Sequence, residues 1–387
     1  MRLLLAFFLS LFTAAALPAP VLIALDAEFG IRTSTSAQAV QQGIELALDE
    51  INVAGGVLGG RPLRLVTRDN RGIAAVAVDH LRELAAIPDL VAVFGGKYSP
   101  IYVECLPVAH ESGMLLMDPW GSADQITDHG FHPSFSFRLS LKDEWAAKEF
   151  VRFARERHGA KRIGLLVPNT HWGRSNLASI GKAAVAAGVH LLEAQWFNWG
   201  DRSLLQQYSA LRAAGAEVLV FVTNEVEGAV LVKEVAALPR GERIPIVSHW
   251  GVTGGNFAAL AGPALQALDF SVIQTFHFGA DRPAARRLMR VLASRHGITR
   301  PEQVVSAVGV AHAYDLTHLL ARAIDRAGST DRDRIRAALE RLGPYDGLVR
   351  FYRQPFTPQR HDALTAAQVF FARYQPDGTL LALGAAP

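Results

Sequence analysis

Short apolar runs alternate with helical patterns along almost the whole sequence, and this alternation constrains the fold more than any other feature. The first four runs are predicted strands at residues 21–25, 63–67, 90–94 and 114–117. Helical patterns separate them at residues 38–52, 74–86 and 101–112. Because the runs are apolar throughout, both faces of their sheet must be covered. The sequence therefore predicts a parallel sheet between two layers of helices.

The same pattern restarts near residue 162 and changes again near residue 270. At 387 residues the chain is longer than a comfortable single domain, and two α/β lobes with two-part connectivity account for the order. We predict an N-terminal lobe from residues 20–138 plus 275–347. The C-terminal lobe is predicted from residues 139–274 plus 348–387. The chain is expected to cross between them in short ordered segments.

The first residues predict the compartment. Arg2 precedes an apolar stretch from Leu3 to Ala16, and the small residues up to Ala16 or Ala19 offer two cleavage positions. With about 14 apolar residues, the stretch is short for a membrane span and typical of a secretory signal peptide. We predict a signal peptide over residues 1–19 and a periplasmic protein; an uncleaved anchor is the alternative. Cys105 is the only cysteine, so an intramolecular disulfide is not possible.

Composition and motifs favour binding over catalysis. Half of the residues are hydrophobic and 19% are charged, as in a globular protein, and the basic residues behind the net charge of +3 are scattered. This distribution predicts no nucleic-acid partner. Motifs for nucleotide binding, for a serine nucleophile and for a zinc protease do not occur. His129 and His132 lack a third ligand, so we predict neither a metal nor a cofactor.

Polar and aromatic residues follow the predicted strands, where ligands of doubly wound sheets bind. Ser99 follows Gly95 and Gly96 at the start of a helix, which favours an anion such as a carboxylate; a helix cap is the alternative. Three tryptophans also fall at strand ends and predict an aromatic cleft, with core packing as the alternative for any single one. They are Trp120, Trp172 and Trp250.

The wording and order of several segments resemble one family. They are E-I-N-V-A-G-G at residues 50–56, V-A-V-F-G-G-K-Y-S at 91–99, D-P-W-G-S at 118–122, and K-R-I-G-L-L-V at 161–167 followed by W-G-R-S at 172–175. This series is similar to the type I periplasmic solute-binding proteins of the leucine/isoleucine/valine group. The resemblance implies an α/β fold with two Rossmann-like lobes, three crossovers and a ligand cleft that closes by hinge motion.

The resemblance also implies where a ligand binds. A ligand carboxylate is expected near Ser99 and Ser122, and Trp172 replaces a tyrosine of the family. Trp250 stands where the family has the carboxylate that holds the ligand's ammonium group, which leaves Glu225 as a substitute partner. An indole cannot pair a buried ammonium, so an aromatic or amide-type acid, or a cation against indole faces, competes with ordinary amino acids. The predicted ligand-binding residues are Tyr98, Ser99, Trp120, Gly121, Ser122, Trp172, Asn224, Glu225 and Trp250.

Together these features predict a monomeric periplasmic solute-binding protein of an ABC importer. Its partners are predicted to be a small organic ligand, amino acid-like or an aromatic or amide-type acid, and an ABC permease in the inner membrane. The first alternative is a ligand-binding receptor subunit of a sensory or regulatory system. The second is an exported enzyme, which the lack of a nucleotide motif or nucleophile disfavours.

Overall fold

The computed structural model describes residues 18–278 and 282–383, so the predicted signal peptide lies outside the described residues apart from its last two. Fifteen strands occur in these ranges: β1 Val21–Ala27, β2 Leu63–Asp69, β3 Leu90–Gly95, β4 Leu115–Asp118, β5 Ser136–Arg138, β6 Arg162–Pro168, β7 His190–Leu191, β8 Gln195–Phe197, β9 Val218–Phe221, β10 Ile246–Ser248, β11 Phe270–Gln274, β12 Tyr345–Asp346, β13 Phe351–Tyr352, β14 Phe370–Tyr374 and β15 Leu380–Ala382.

The same ranges contain eleven α-helices. They are α1 Ser36–Val53, α2 Ala74–Ala85, α3 Ser99–Ser112, α4 Asp143–His158, α5 His171–Ala187, α6 Leu205–Ala213, α7 Glu225–Ala237, α8 Phe257–Ala261, α9 Pro283–His296, α10 Ala307–Ala327 and α11 Arg332–Leu339. None of these helices has the length and apolar character that a bilayer span requires.

The first sheet has five parallel strands in the order β2-β1-β3-β4-β5. Ile23 and Leu25 of β1 share a core cluster with residues of α1 and α10, whereas Ala24 belongs to a cluster with residues of α2 and α3. Successive side chains of a strand point to opposite faces, so this sheet is covered on both sides. The predicted parallel, doubly covered sheet is confirmed here.

The glycine-containing connection between α1 and β2 has a clear local role. Gly55 and Gly56 turn the chain after α1 with φ of 109° and 73°, a region that favours glycine. The side chain of Asn52 then binds the start of β2. Its Oδ1 accepts from the N–H of Leu63 at 2.8 Å, and its Nδ2 donates to the carbonyl of Leu63 at 2.9 Å. The stretch therefore fixes the scaffold.

The second sheet has eight strands in the order β15-β14-β11-β10-β9-β6-β7, with β8 also paired to β6. Strands β6 to β11 are mutually parallel, while β14 and β15 are antiparallel to their neighbours. The short strands β7 and β8 pair with different parts of β6. The α/β fold class is confirmed.

Buried charges connect the chain segments that pass between the sheets. The Arg138 side chain at the end of β5 is fully buried and donates to Asp362 at 2.6 Å and to the carbonyl of Ala123 at 2.8 Å. After Gly347, the N–H of Leu348 donates to Asp315 of α10 at 2.6 Å. The segment after β5 and the segment after Gly347 are therefore each held by a buried carboxylate, that of Asp362 and that of Asp315. The lobe boundaries themselves stay predictions.

Candidate functional site

Aromatic side chains from the two sheets meet where the strands end. Trp120 follows β4 and Trp250 follows β10, and their ring centroids are 5.9 Å apart. Each residue is only 1% exposed. Two of the predicted tryptophans therefore lie together between the sheets, and each excludes water from the other.

Ser99 holds the loop after β4. Its Oγ accepts from the backbone N–H groups of Ser122 at 3.0 Å and Ala123 at 3.2 Å. The carbonyl of Ser122 in turn accepts from the N–H of Asp143 at 2.8 Å. The two predicted serines thus lie side by side, and Oγ of Ser99 accepts from the Ser122 loop instead of capping its own helix.

The carboxylate of Asp118 holds the same loop after β4 through hydrogen bonds to its backbone. Its Oδ1 accepts from the N–H of Trp120 at 2.9 Å and from that of Gly121 at 2.6 Å. Burial raises the pKa of Asp118 to about 7, although Arg138 and these two donors favour the charged form. Gly121 is closely surrounded, because a Cβ there would lie 2.7 Å from Ile126. Close packing therefore specifies glycine at this position.

Lys97 is a site residue that the sequence analysis missed. Its Nζ lies 2.6 Å from Oε2 of Glu225 and 3.3 Å from the carbonyl of Gly254. The two side chains are 1% and 2% exposed, and they come from opposite sheets. Glu225 therefore points inward, but its partner is a lysine of the same chain. Its position directly after Gly95 and Gly96, at the end of a strand, was the sequence signal that could have indicated a site residue.

Tyr98 and Asn224 lie next to this ion pair. Tyr98 is half-buried, and its ring centroid is 5.1 Å from that of Trp199 on the opposite side of the cleft. Burial raises the pKa of Tyr98, and the carboxylates of Glu28, Glu225 and Glu227 raise it further. Asn224 immediately precedes α7, and its Oδ1 would lie 2.7 Å from a Cβ on Gly251. This part of the cleft is acidic and aromatic.

Trp172 lies in the first turn of α5 and packs on a second polar pair. Its ring meets that of His249 edge-on, with centroids 4.8 Å apart. Nε2 of His249 lies 3.2 Å from Oδ1 of Asp143, and both side chains are fully buried. Asp143 begins α4 immediately after the first passage between the sheets. Asp143 was not among the predicted site residues, and its only signal in the sequence was an acidic residue at the start of a helix.

Two surface pockets lie away from this cleft. One, of about 400 Å³, is lined by residues around Asp89 and Arg332; the other, of about 530 Å³, is lined by residues around Arg350 and Arg360. Neither is lined by a predicted ligand-binding residue. Across residues 18–278 and 282–383, no cluster of three or more His, Cys, Asp or Glu side chains could hold a metal ion.

Comparison with known proteins identifies the family. The model of the periplasmic binding protein family matches residues 30–379. The chain belongs to this family. A similar curated protein of this kind is the leucine-, isoleucine-, valine-, threonine-, and alanine-binding protein of Pseudomonas aeruginosa, with 23% identity over 77% of this chain and 76% of that protein. The resemblance to the leucine/isoleucine/valine group is thereby confirmed.

Solved structures show the same fold. The periplasmic binding protein described here superimposes on the leucine binding protein LivK from Thermotoga maritima with a TM-score of 0.81 and 20% identity, over 94% of this chain and 98% of that one. It also superimposes on the solute binding protein of an ABC transporter from R. palustris in complex with benzoate, with a TM-score of 0.75 and 17% identity, over 95% and 97% of the two chains. The type I periplasmic binding protein fold is confirmed.

Proposed function

We propose that this protein is the solute-binding component of an ABC importer and that it encloses a small organic molecule between its two lobes. The observation that carries the proposal is the meeting of Trp120 and Trp250, which come from the strand ends of different sheets and bury each other. Ligand pockets are mainly apolar and aromatic, with a few placed polar groups. Both requirements are met at this position in a chain of the family.

The proposed lobes are residues 20–138 plus 275–347 and residues 139–274 plus 348–387, and the closed form is what an inner-membrane permease recognises. The protein acts as a monomer in the periplasm, after export by the segment at residues 1–19, and does no covalent chemistry. The family match and the names of the relatives, which are binding proteins, support this proposal.

The ligand is proposed to be amino acid-like or an aromatic or amide-type acid. Relatives are named for leucine, isoleucine and valine, and one structural neighbour holds benzoate. The predicted ligand-binding residues are proposed to line the site from both lobes. Serines 99 and 122 orient its polar end, and Trp120, Trp172 and Trp250 supply its apolar walls.

A thermal-shift screen of amino acids, aromatic acids, amides and amines tests the proposal. A ligand at a hundred times its dissociation constant adds about 2.7 kcal/mol to the free energy of unfolding, which is readily visible as a rise in melting temperature. Uptake of the same compound by cells that carry the protein and its permease tests the importer role. A binding compound that such cells do not take up would contradict the transport proposal.

A further inference from the structure

Four buried polar atoms, one in Trp172 and three in residues around it, have no hydrogen-bond partner among the described residues. They are Nε1 of Trp172, Oδ1 of Asn176, Oδ2 of Asp143 and Nδ1 of His249. Trp172 is 5% exposed and the other three residues are fully buried. Leaving a buried polar group without a partner is unfavourable, and native proteins contain few such groups. Four in one place call for an explanation.

These four residues form one connected group. The rings of Trp172 and His249 are in edge-on contact, and Asp143 lies 3.2 Å from His249 through its other carboxylate oxygen. Nδ2 of Asn176 donates to the carbonyl of Trp172 at 3.1 Å. The group also adjoins the cleft, since the N–H of Asp143 binds the carbonyl of Ser122. The group therefore lies beside the proposed ligand site, and the ring of Trp172 also lies 2.8 Å from the position of a Cβ on Gly251, the residue after Trp250.

The chemistry of the four atoms limits what can bind them. The indole N–H of Trp172 is a donor, and Oδ2 of Asp143 is an acceptor. When Nε2 of His249 donates to Asp143, Nδ1 of the neutral ring is a further acceptor. Oδ1 of Asn176 is also an acceptor. The group thus offers one donor and three acceptors.

A primary carboxamide has the complementary pattern. Its carbonyl accepts from Trp172, and its two N–H groups donate to acceptors such as Asp143 and His249. An ammonium group would leave the indole N–H unpaired, and a carboxylate would face Asp143 with a like charge. We propose that Trp172, Asp143, His249 and Asn176 form a subsite for a neutral carboxamide or urea-type group of the ligand. This inference rests on the proposed function and narrows its ligand class.

The test compares matched probes on the purified protein. Benzamide, benzoate and benzylamine share one ring and differ in the polar group, and isobutyramide, isobutyrate and isobutylamine repeat the comparison without the ring. We expect each amide to bind at least about tenfold more tightly than its acid and its amine, by calorimetric titration. Tighter binding of either acid or either amine would overturn the amide subsite but leave the solute-binding proposal standing.

Two conservative variants assign the effect to this subsite. Trp172→Phe keeps the ring and removes the N–H, and Asp143→Asn keeps the shape and replaces an acceptor oxygen. Each is expected to weaken amide binding about tenfold while the circular dichroism spectrum stays unchanged. The matched control Trp196→Phe, at an exposed indole on β8, should leave it unaltered. Equal amide affinity in wild type and Trp172→Phe would overturn the proposal, as would no binding of either amide at millimolar concentration.

Discussion

The ion pair between Lys97 and Glu225 is the most consequential pair of side chains in the cleft. Both groups leave water almost completely, which costs several kcal/mol for each ion, and a distance of 2.6 Å returns much of that cost. The ammonium group of Lys97 has three N–H donors, and Glu225 and the carbonyl of Gly254 accept from it. The pair links a residue that follows β3 of the first sheet to a residue that follows β9 of the second, and this link requires both charges.

We expect Lys97→Met and Glu225→Gln each to lower the free energy of unfolding by about 3 kcal/mol, because each leaves one buried charge uncompensated. The double variant should lose clearly less than the sum of the two. Urea unfolding of the four proteins measures this coupling. Strict additivity would show that the two side chains do not interact.

The carboxyl group of Asp118 makes stability depend on pH. Its pKa is about 7 in the folded protein against 3.8 for the free group, because burial penalises the charge. Well below pH 3.8 the group is protonated in both states. As the pH rises from 4 to 7 the unfolded chain loses this proton first, so the group lowers the free energy of unfolding, by up to about 4 kcal/mol.

Asp118→Asn removes this titration, so the stability of the variant relative to wild type should improve steadily between pH 4 and pH 7 and level off above that. Urea unfolding at a series of pH values gives the difference directly. A constant difference across this range would contradict the raised pKa of Asp118.

At the scale of helices, two glycines with opposite surroundings show how closely α10 packs on the cleft. A Cβ on Gly309, in the first turns of α10, would lie 2.4 Å from the ring of Trp120. Gly181, inside α5, has no atom within 4 Å of a Cβ position. Backbone conformation and helix propensity favour alanine at both, so only packing distinguishes them.

Gly309→Ala should therefore destabilise the protein by about 1–3 kcal/mol and displace Trp120, since overpacking is not relieved without movement. Gly181→Ala is the matched control and should stabilise by about 0.5–1 kcal/mol. Thermal unfolding measures both, and near-ultraviolet circular dichroism reports on Trp120. A neutral Gly309→Ala variant would mean that the α10 contact is loose.

Element positions were predictable where local chemistry sets them. The predicted strand at residues 90–94 is confirmed as β3, and the pattern predicted to restart near residue 162 begins with β6, because apolar runs bounded by polar residues have few alternatives. Helix α10 begins only at Ala307, since Ser306 takes a left-handed conformation with φ of 52°. Nothing in the sequence around Ser306 indicates that this residue has a positive φ.

Contacts across the whole molecule were not predictable in the same way. Lys97 and Glu225 are distant in sequence, and nothing near either residue specifies the other. Trp120 and Trp250 were predicted as site residues from their strand ends, but their mutual contact depends on how two sheets face each other. The local sequence pattern was enough to predict the sheet and helix layers. Which side chains meet between the layers depends on the tertiary fold.

The molecule as a whole should unfold in one step despite its two sheets. The half around the first sheet includes α10, which follows β11 of the second sheet, so neither half is one continuous stretch of sequence. The buried contact between Arg138 and Asp362 also joins two distant segments of the chain. We expect urea unfolding curves from tryptophan fluorescence and from far-ultraviolet circular dichroism to coincide. Two separated midpoints would show instead that the halves unfold independently.

The antiparallel pairing of β14 with β11 also has a consequence for how the protein is made. During synthesis, β11 emerges well before the residues that form β14, so the edge of β11 that β14 will pair with has no partner in the interval. An unpaired strand edge is a template for aggregation, and chaperones that delay folding would protect it. The time between the arrival of residues 274 and 370 is therefore the stage at which a newborn chain is most exposed to misassembly.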